Sequence, residues 1–154
     1  MNVILSIKPE YCEKIRTGDK RYEFRKVVFN KRENIDKVFI YCTSPVKKII
    51  GFFKIDEIIE DEPYNLWINY RDKAGVSKDQ FFKYFKDTNV GYAIKILDTE
   101  FFEPLDPREI NPKFTPPQSF CYLDNENPFM RVLSSLRRIE GAVNFRRMSK
   151  IEAV

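Results

Sequence analysis

The spacing of apolar positions predicts that the chain begins with a strand, a short helix and a second strand. Residues 2–7 form a short apolar run that suits a buried strand. Pro9 is typical of the first turn of a helix, and Gly18 is a suitable residue to end one. The second strand is predicted over residues 20–25, where aromatic side chains alternate with charged ones.

The next part of the chain has the alternation of a long hairpin. Residues 37–43 carry apolar side chains on both faces of a predicted strand, and a Ser-Pro turn follows at residues 44–45. Residues 47–59 continue as a strand long enough to bend, with Gly51 as the expected bulge or point of close approach. Because both faces are apolar, we expect this hairpin in the centre of a closed or covered sheet.

Two short helices are predicted between strands in the middle of the chain. Residues 63–73 repeat large apolar side chains at helical spacing. Ser77 and Gln80 then form the Ser-x-x-Gln pattern of a capping box, which opens the second helix. A clearly alternating strand over residues 92–97 follows. Helices inserted between strands in this way should cover one opening of a barrel.

Prolines dominate residues 104–128, which contain six of them. Since proline fixes φ and removes a backbone donor, this stretch is predicted to be extended, irregular backbone wrapped around the domain. Asn127 and Pro128 then open an amphipathic helix. We expect a barrel domain over residues 1–125 and a basic helix and tail over residues 126–154, packed on the barrel or extending from it.

Composition narrows the chemistry. Hydrophobic residues make up 43% of the 154 residues, which is ample for one packed core. The chain has no histidine, so the common His-dependent nucleophiles and zinc sites are excluded. Five carboxylates in residues 56–62 lack the spacing of a calcium loop, and we expect a solvated strand end, no metal site and no cofactor. Three widely spaced cysteines and no long apolar run lead us to expect a cytoplasmic protein without a membrane span.

Charge is distributed unevenly along the chain. Residues 8–48 hold 12 Lys or Arg against 6 Asp or Glu, whereas residues 49–130 hold 9 against 15. The remaining C-terminal residues hold 6 against 2. This distribution favours one positive face, which would attract phosphate groups. An ordinary charge dipole without a partner is the alternative.

Residues 18–25, Gly-Asp-Lys-Arg-Tyr-Glu-Phe-Arg, concentrate charge directly after the predicted helix end. In a regular strand, Lys20 would lie on one face and Glu23 and Arg25 on the other. Only a bend near Lys20 would bring the three charged groups together. Alternating charge on a solvated strand face, as in many edge strands, is the simpler interpretation of the spacing.

The pattern Gly-x-Lys-x-x-Glu-x-Arg of residues 18–25 resembles that of the ASCH domain family, whose members are small β-barrels similar to the RNA-binding PUA fold. The segments Leu5-Ser-Ile-Lys-Pro9 and Pro116-Pro-Gln-Ser-Phe120 are also similar to the opening and closing segments of that family. The resemblance covers roughly residues 3–123. It implies an α+β fold, with a mixed or antiparallel PUA-like barrel, short helices over its openings and a C-terminal helix.

The resemblance also implies that the motif borders a cleft and that RNA or a nucleotide binds in this cleft. A protein of this kind would be a regulator of RNA metabolism or translation. Lys20 and Arg25 would offer positive charge to a phosphate or a base edge, and Glu23 would orient them or accept from an exocyclic amine. Aromatic residues would stack on a base. The predicted ligand-binding residues are Lys8, Lys20, Glu23, Arg25, Tyr41 and Trp67.

Two alternatives stay open. Relatives in the family look like ribonucleases or amidohydrolases acting on acylated cytidines, so the same cleft of this chain is a candidate hydrolase site, with Lys20, Glu23 and Tyr22 as candidate catalytic residues. The amidohydrolase pattern has a threonine three residues after the lysine, where this chain has Glu23. In the other alternative, the motif is a structural ion-pair cluster that holds the helix against the strand.

Overall fold

The computed structural model describes residues 1–30 and 34–139. This part of the chain contains six strands, four helices and two short 3-10 turns. In chain order they are β1 (Asn2–Ile7), α1 (Pro9–Thr17), β2 (Tyr22–Arg25), β3 (Val38–Cys42), β4 (Lys48–Asp61), α2 (Pro63–Tyr70), the turn Arg71–Lys73, α3 (Lys78–Tyr84), β5 (Gly91–Leu105), the turn Pro107–Glu109, β6 (Phe120–Leu123) and α4 (Pro128–Ser135).

All six strands belong to one mixed sheet, in the order β2-β5-β4-β3-β1-β6. β1 pairs with β3 in parallel, and the other neighbours are antiparallel. The sheet curls into a half-barrel, which confirms the predicted α+β class with a mixed barrel-like sheet and short helices. No helix within the described residues is both long and apolar enough to cross a bilayer.

Local signals in the sequence correctly predicted where most of the strands and helices begin or end. β1 has the predicted bounds, and α1 ends at Gly18, whose φ of 83° is in the left-handed region. Ser77 and Gln80 form the predicted capping box at the start of α3. The register between β3 and β4 shifts next to Gly51, where the bulge was predicted.

β6 corrects one prediction, because residues 104–128 are not irregular throughout. Residues 120–123 pair antiparallel with residues 2–5 of β1. A strand of four residues among prolines has little periodicity of its own. Its conformation follows from the partner strand, which offers a free edge.

The curled sheet has a core on each side. Cys12 and Ile15 of α1 pack with the inward residues of β1, β3 and β4, including Ile7 and Ile40. α4 covers the opposite side through Phe129 and Leu133. The packing of α4 on the sheet is therefore seen directly, whereas the division of the chain near residue 125 stays a prediction and most of the basic tail lies outside the described residues.

The curl brings the two ends of the sheet together at Arg25. This residue ends β2, one edge of the sheet, and its Nη2 donates to the backbone oxygen of Ser6 in β1 at 2.6 Å. Its Nη1 lies 3.4 Å from Oγ of Ser119, which directly precedes β6 at the other edge. One guanidinium thus bridges strands that are far apart in the order of the sheet.

Candidate functional site

The three charged residues of the motif meet in one buried cluster. Arg25 Nη2 lies 3.0 Å from Glu23 Oε2, and Lys20 Nζ lies 3.6 Å from Glu23 Oε1. Lys20 is only 3% exposed and Glu23 only 6%. The prediction that a bend near Lys20 is needed is confirmed, because β2 begins at Tyr22 and Lys20 precedes the regular strand.

The backbone around Gly75 holds Lys20 in place. Lys20 Nζ donates to the backbone oxygen of Ala74 at 2.7 Å. The same ammonium lies 5.2 Å from the ring centroid of Tyr11 and 5.3 Å from that of Phe24, within cation–π range. Gly75 has a φ of 67°, and a Cβ there would lie 2.5 Å from Cβ of Lys20. The lysine stem therefore packs in space that only glycine leaves open.

Burial and neighbouring charge act on the two titratable ends of the cluster. Burial lowers the pKa of the Lys20 ammonium, and the Glu23 carboxylate opposes that shift only in part. Burial by itself would raise the pKa of Glu23, but the charges and hydrogen bonds of Arg25 and Lys20 outweigh it and hold the pKa below its ordinary value. Glu23 is therefore ionised at neutral pH and unsuited to donate a proton.

The cluster forms the floor of a cavity of about 680 Å³. We call Lys20, Glu23 and Arg25 the floor of this first cavity. Most of the rest of the lining comes from β1, α1 and α3 and from the loops that follow β2 and β3. Gln118, which follows two consecutive prolines, also lines the cavity. Three further cations line the same space, and we call them the rim lysines: Lys8, Lys26 and Lys83.

The rim lysines differ from the floor in exposure and in pairing. All three are exposed, and none has an ion-pair partner among residues 1–30 and 34–139. Lys26 Nζ lies 4.9 Å from the ring centroid of Tyr84, which also lines the cavity and is 41% exposed. The mouth of the cavity therefore presents exposed positive charge beside an accessible aromatic ring.

A second cavity, of about 410 Å³, adjoins the first. The two share Ser6, Thr43 and Gln118 in their linings, and we call these three residues the saddle. The second cavity is also lined by Tyr41, Lys47, Arg108, Phe114 and several prolines. Because the saddle belongs to both linings, the two cavities are neighbours, and we call the pair of cavities the groove.

The structure brings four of the predicted site residues to the first cavity: Lys8, Lys20, Glu23 and Arg25. Tyr41 lies on the opposite face of β3 from the core of α1, and it lines the second cavity instead. Trp67 lines neither cavity, because α2 turns it toward Phe81 of α3, with ring centroids 5.2 Å apart.

Tyr22, the aromatic catalytic candidate of the motif, also lies away from the groove. Its ring packs against Tyr70 with centroids 4.6 Å apart. Sequence reasoning missed Lys83, Tyr84 and Gln118, all of which line the groove. Lys83 and Tyr84 lie at the end of α3. The amphipathic pattern of this helix predicts that one of its sides packs on the domain, but it does not predict that its last residues line the groove.

No group of three or more Cys, Asp or Glu side chains suited to hold a metal ion occurs within the described part of the chain. The carboxylates of residues 56–62 lie at the outer end of the β4–β5 ribbon, and Asp56 there pairs with Lys95 at 3.2 Å. In the register of the sheet this part of β4 is separated from the motif strand β2 by β5 alone, because Glu60 and Arg25 both lie opposite Tyr92. None of the carboxylates of residues 56–62 lines either cavity.

Comparison with known proteins matches this chain to the ASCH domain model over residues 5–111. An ASCH domain-containing ribonuclease from Zymomonas mobilis is 32% identical over 126 residues, which is 80% of this chain and 84% of that protein. A crystal structure of ASCH from Zymomonas mobilis superposes with a TM-score of 0.80 at 29% identity, covering 90% of this chain and 98% of that one. Part of large ribosomal subunit protein uL22 from Ureaplasma parvum is 27% identical over 103 residues, 64% of this chain and 33% of that protein.

Proposed function

The chain belongs to the ASCH domain family, and we propose that it binds single-stranded RNA or a nucleotide in the first cavity, as a regulator of RNA metabolism or translation. The observation that carries this proposal is the cavity of about 680 Å³, whose floor and rim together contain five cations. Only two carboxylates, Glu10 and Glu23, line the same space. Such a concave positive surface attracts polyanions and is large enough for a nucleotide.

We assign the phosphate contacts to the rim lysines. Arg25 already donates to Ser6 and Glu23, and Lys20 donates to Ala74, so the floor cations are committed to protein groups. Lys8, Lys26 and Lys83 are exposed lysines whose ammonium groups can reach a phosphate without losing an ion pair. The floor contributes a fixed net charge of one positive unit beneath them, since two cations face one carboxylate.

The aromatic contact is assigned to Tyr84 instead of the predicted Trp67. Tyr84 is 41% exposed, and Lys26 occupies a position over its ring at 4.9 Å. A base can replace the Lys26 ammonium over this ring, and the displaced lysine can then reach the phosphate attached to that base. Glu23 Oε1, whose lysine partner is as far as 3.6 Å away, is the acceptor available to an exocyclic amine of a base.

The experiment that tests this function measures the binding of a fluorescein-labelled, random-sequence single-stranded RNA by fluorescence anisotropy at several salt concentrations. Replacing Lys8, Lys26 and Lys83 together with alanine should weaken binding, because up to three phosphate contacts are lost. The slope of log affinity against log salt should become shallower by about 2, since each contact to a single strand contributes roughly 0.7.

A matched control replaces Lys73, Lys78 and Lys86, three exposed lysines that line neither cavity. It removes the same charge, so any general electrostatic attraction falls equally in both variants. Equal affinity and equal salt slopes in the two triple variants would overturn the assignment of RNA binding to this cavity.

RNA cleavage is the second candidate function, and it is favoured by the ribonuclease from Zymomonas mobilis that shares 32% identity with this chain. Tyr22 lies outside the groove, so the groups left for metal-free cleavage are Lys20 and Tyr41, on either side of the saddle. Burial lowers the pKa of Lys20, so its ammonium loses a proton more readily than an exposed lysine does, and burial raises the pKa of Tyr41, whose phenol stays protonated. In molecules whose Lys20 has lost its proton, the amine would take the proton of a ribose 2′-hydroxyl as the ribose oxygen attacks phosphorus. The Tyr41 phenol would protonate the departing 5′-oxygen.

This candidate predicts a product with a 2′,3′-cyclic phosphate end and a 5′-hydroxyl end, which mass spectrometry of the digested RNA detects. Tyr41→Phe should slow the reaction and leave RNA affinity unchanged. Intact RNA after prolonged incubation with the wild-type protein would restrict the function to binding. The acylcytidine amidohydrolase alternative gains no support, because Glu23 occupies the hydroxyl position of that pattern and is held by Arg25.

A further inference from the structure

The second cavity has features of a binding site that the proposed function leaves unused. It adjoins the first cavity along the saddle and has a volume of about 410 Å³, within the usual range of small-ligand pockets. Its lining combines aromatic rings with a free cation. The ring of Tyr41 lies 5.7 Å from that of Phe114, and Lys47 is exposed at the edge.

The saddle between the cavities is polar and open to a ligand. Among the described residues, the side chains of Thr43 and Gln118 have no hydrogen-bond partner, and Gln118 is exposed. Ser6 differs, because its hydroxyl donates to the backbone oxygen of Pro117 at 2.7 Å and its own carbonyl holds Arg25. Two uncommitted polar side chains therefore lie on the path from one cavity to the other, beside the bridging guanidinium.

Charge in the second cavity is also partly uncommitted. Arg108 makes two contacts to the carboxylate of Asp106, at 3.0 and 3.2 Å, which neutralise it. Lys47 has no ion-pair partner within residues 1–30 and 34–139. The half-buried ring of Phe114 lines the cavity together with three prolines, and this apolar wall suits the face of a base.

We propose that the second cavity binds the neighbouring nucleotide of the same RNA strand, so that the groove is a two-nucleotide site. This inference rests on the proposed function, in which the first cavity binds one nucleotide. The phosphodiester that joins the two nucleotides crosses the saddle, where Thr43 and Gln118 donate to its oxygens. The second base stacks on Phe114, and Lys47 contacts the 5′-phosphate of that second nucleotide.

The experiment compares three unlabelled competitors for their ability to displace a fluorescein-labelled, random-sequence hexaribonucleotide from the protein. They are equimolar four-base mixtures of 5′-mononucleotides, of nucleoside 3′,5′-bisphosphates and of 5′-phosphorylated dinucleotides. The bisphosphates carry two phosphates but one nucleoside, so they separate the second nucleoside from added charge. The dinucleotides should compete at least about fivefold better than the bisphosphates, because stacking of one base on an aromatic ring is worth that much or more.

Two variants locate the effect. Phe114→Leu keeps an apolar side chain against Tyr41 and should remove most of the dinucleotide advantage, leaving mononucleotide competition unchanged. Lys47 has a φ of 56°, and asparagine tolerates that region, so Lys47→Asn removes the charge without backbone strain. It should weaken dinucleotide competition by about threefold, as expected for one exposed charge contact. Thermal unfolding of each variant verifies that it folds.

The two proposals fail in different ways. If the hexaribonucleotide does not bind, or binds the rim triple variant as tightly as its control, the proposed function and this inference are both wrong. If it binds through the rim lysines but dinucleotides and bisphosphates compete equally, only the two-nucleotide site is wrong. Loss of mononucleotide competition in the two variants equal to the loss of dinucleotide competition would also overturn it.

Discussion

The floor and the rim of the first cavity both carry cations, but the two regions differ in the exposure and in the pairing of their charged groups. The floor residues Lys20 and Glu23 are 3% and 6% exposed, and every charged group there contacts a protein partner. The rim lysines are exposed and lack ion pairs among the described residues. The most specific motif of the sequence thus lies in the floor, whereas the charge available to a ligand lies in the rim.

This difference separates what the motif does for the fold from what the cavity does for a ligand. A buried charge that loses its partner is costly, so the floor must stay complete for the sheet and helices to pack. An exposed lysine contributes little to folding, so the rim can serve binding. The interpretation of the motif as an ion-pair cluster and its interpretation as part of a site therefore describe two aspects of one structure.

The largest effect is expected from removing the acid of the floor. Glu23→Gln leaves the buried Lys20 and the partly buried Arg25 without their shared carboxylate and should lower the free energy of unfolding by about 3–5 kcal/mol, measured by urea denaturation. Adding Lys20→Met removes one of the two cations that Glu23→Gln leaves without a carboxylate partner. The double variant should therefore lose less free energy of unfolding than the sum of the losses in the two single variants. Strictly additive losses would show that Lys20 and Glu23 are not energetically coupled.

A slightly smaller effect is expected at Gly75, which supports the floor from the backbone. Gly75→Ala combines left-handed strain with a Cβ 2.5 Å from Lys20, and it should cost about 2–4 kcal/mol by the same denaturation. Gly18→Ala is the matched control, since its φ is 83° but its Cβ would meet only an arginine nitrogen at 3.5 Å. Equal losses in the two variants would mean that the space around Lys20 is not tight.

Acid should weaken the floor in a defined direction. Because the folded pKa of Glu23 is lowered, its contribution is fully present above its unfolded pKa of about 4.3 and is lost as the pH falls through the lower folded value. The stability difference between wild type and Glu23→Gln should be constant from pH 7 to about 5 and shrink below about 4. Glu57→Gln, at an exposed carboxylate in β4, is the control. A difference that stays constant down to pH 3 would contradict a charged pairing in the floor.

The smallest effect on stability is expected at the rim. Replacing Lys8, Lys26 and Lys83 with alanine one at a time should change the free energy of unfolding by less than about 0.5 kcal/mol each, although RNA affinity falls. Chemical denaturation and anisotropy on the same preparations check both statements. A rim lysine whose loss unfolds the protein belongs with the floor, and the separation of the two regions would then be wrong.

Local patterns were enough for most elements and for part of the site. The alternation in residues 37–43 predicted the two faces of β3, and proline, glycine and the Ser77–Gln80 pair marked helix ends because capping depends on neighbours in the chain. The same reasoning placed Glu23 and Arg25 on one strand face. β6 was missed, since its pairing with β1 is set by a partner more than a hundred residues away.

The groove itself was decided by the tertiary structure. Alternation assigns Tyr41 to a face of β3 but cannot tell which face meets the motif, and helical spacing cannot tell whether Trp67 points to the groove or to Phe81. Lys83 and Gln118 reach the motif only through the curl of the sheet and the packing of α3. The sequence alone determined which residues form strands and helices, because those preferences are local. Which charges became buried and which stayed free for a ligand was settled by long-range packing, which takes some groups out of water and leaves others in it.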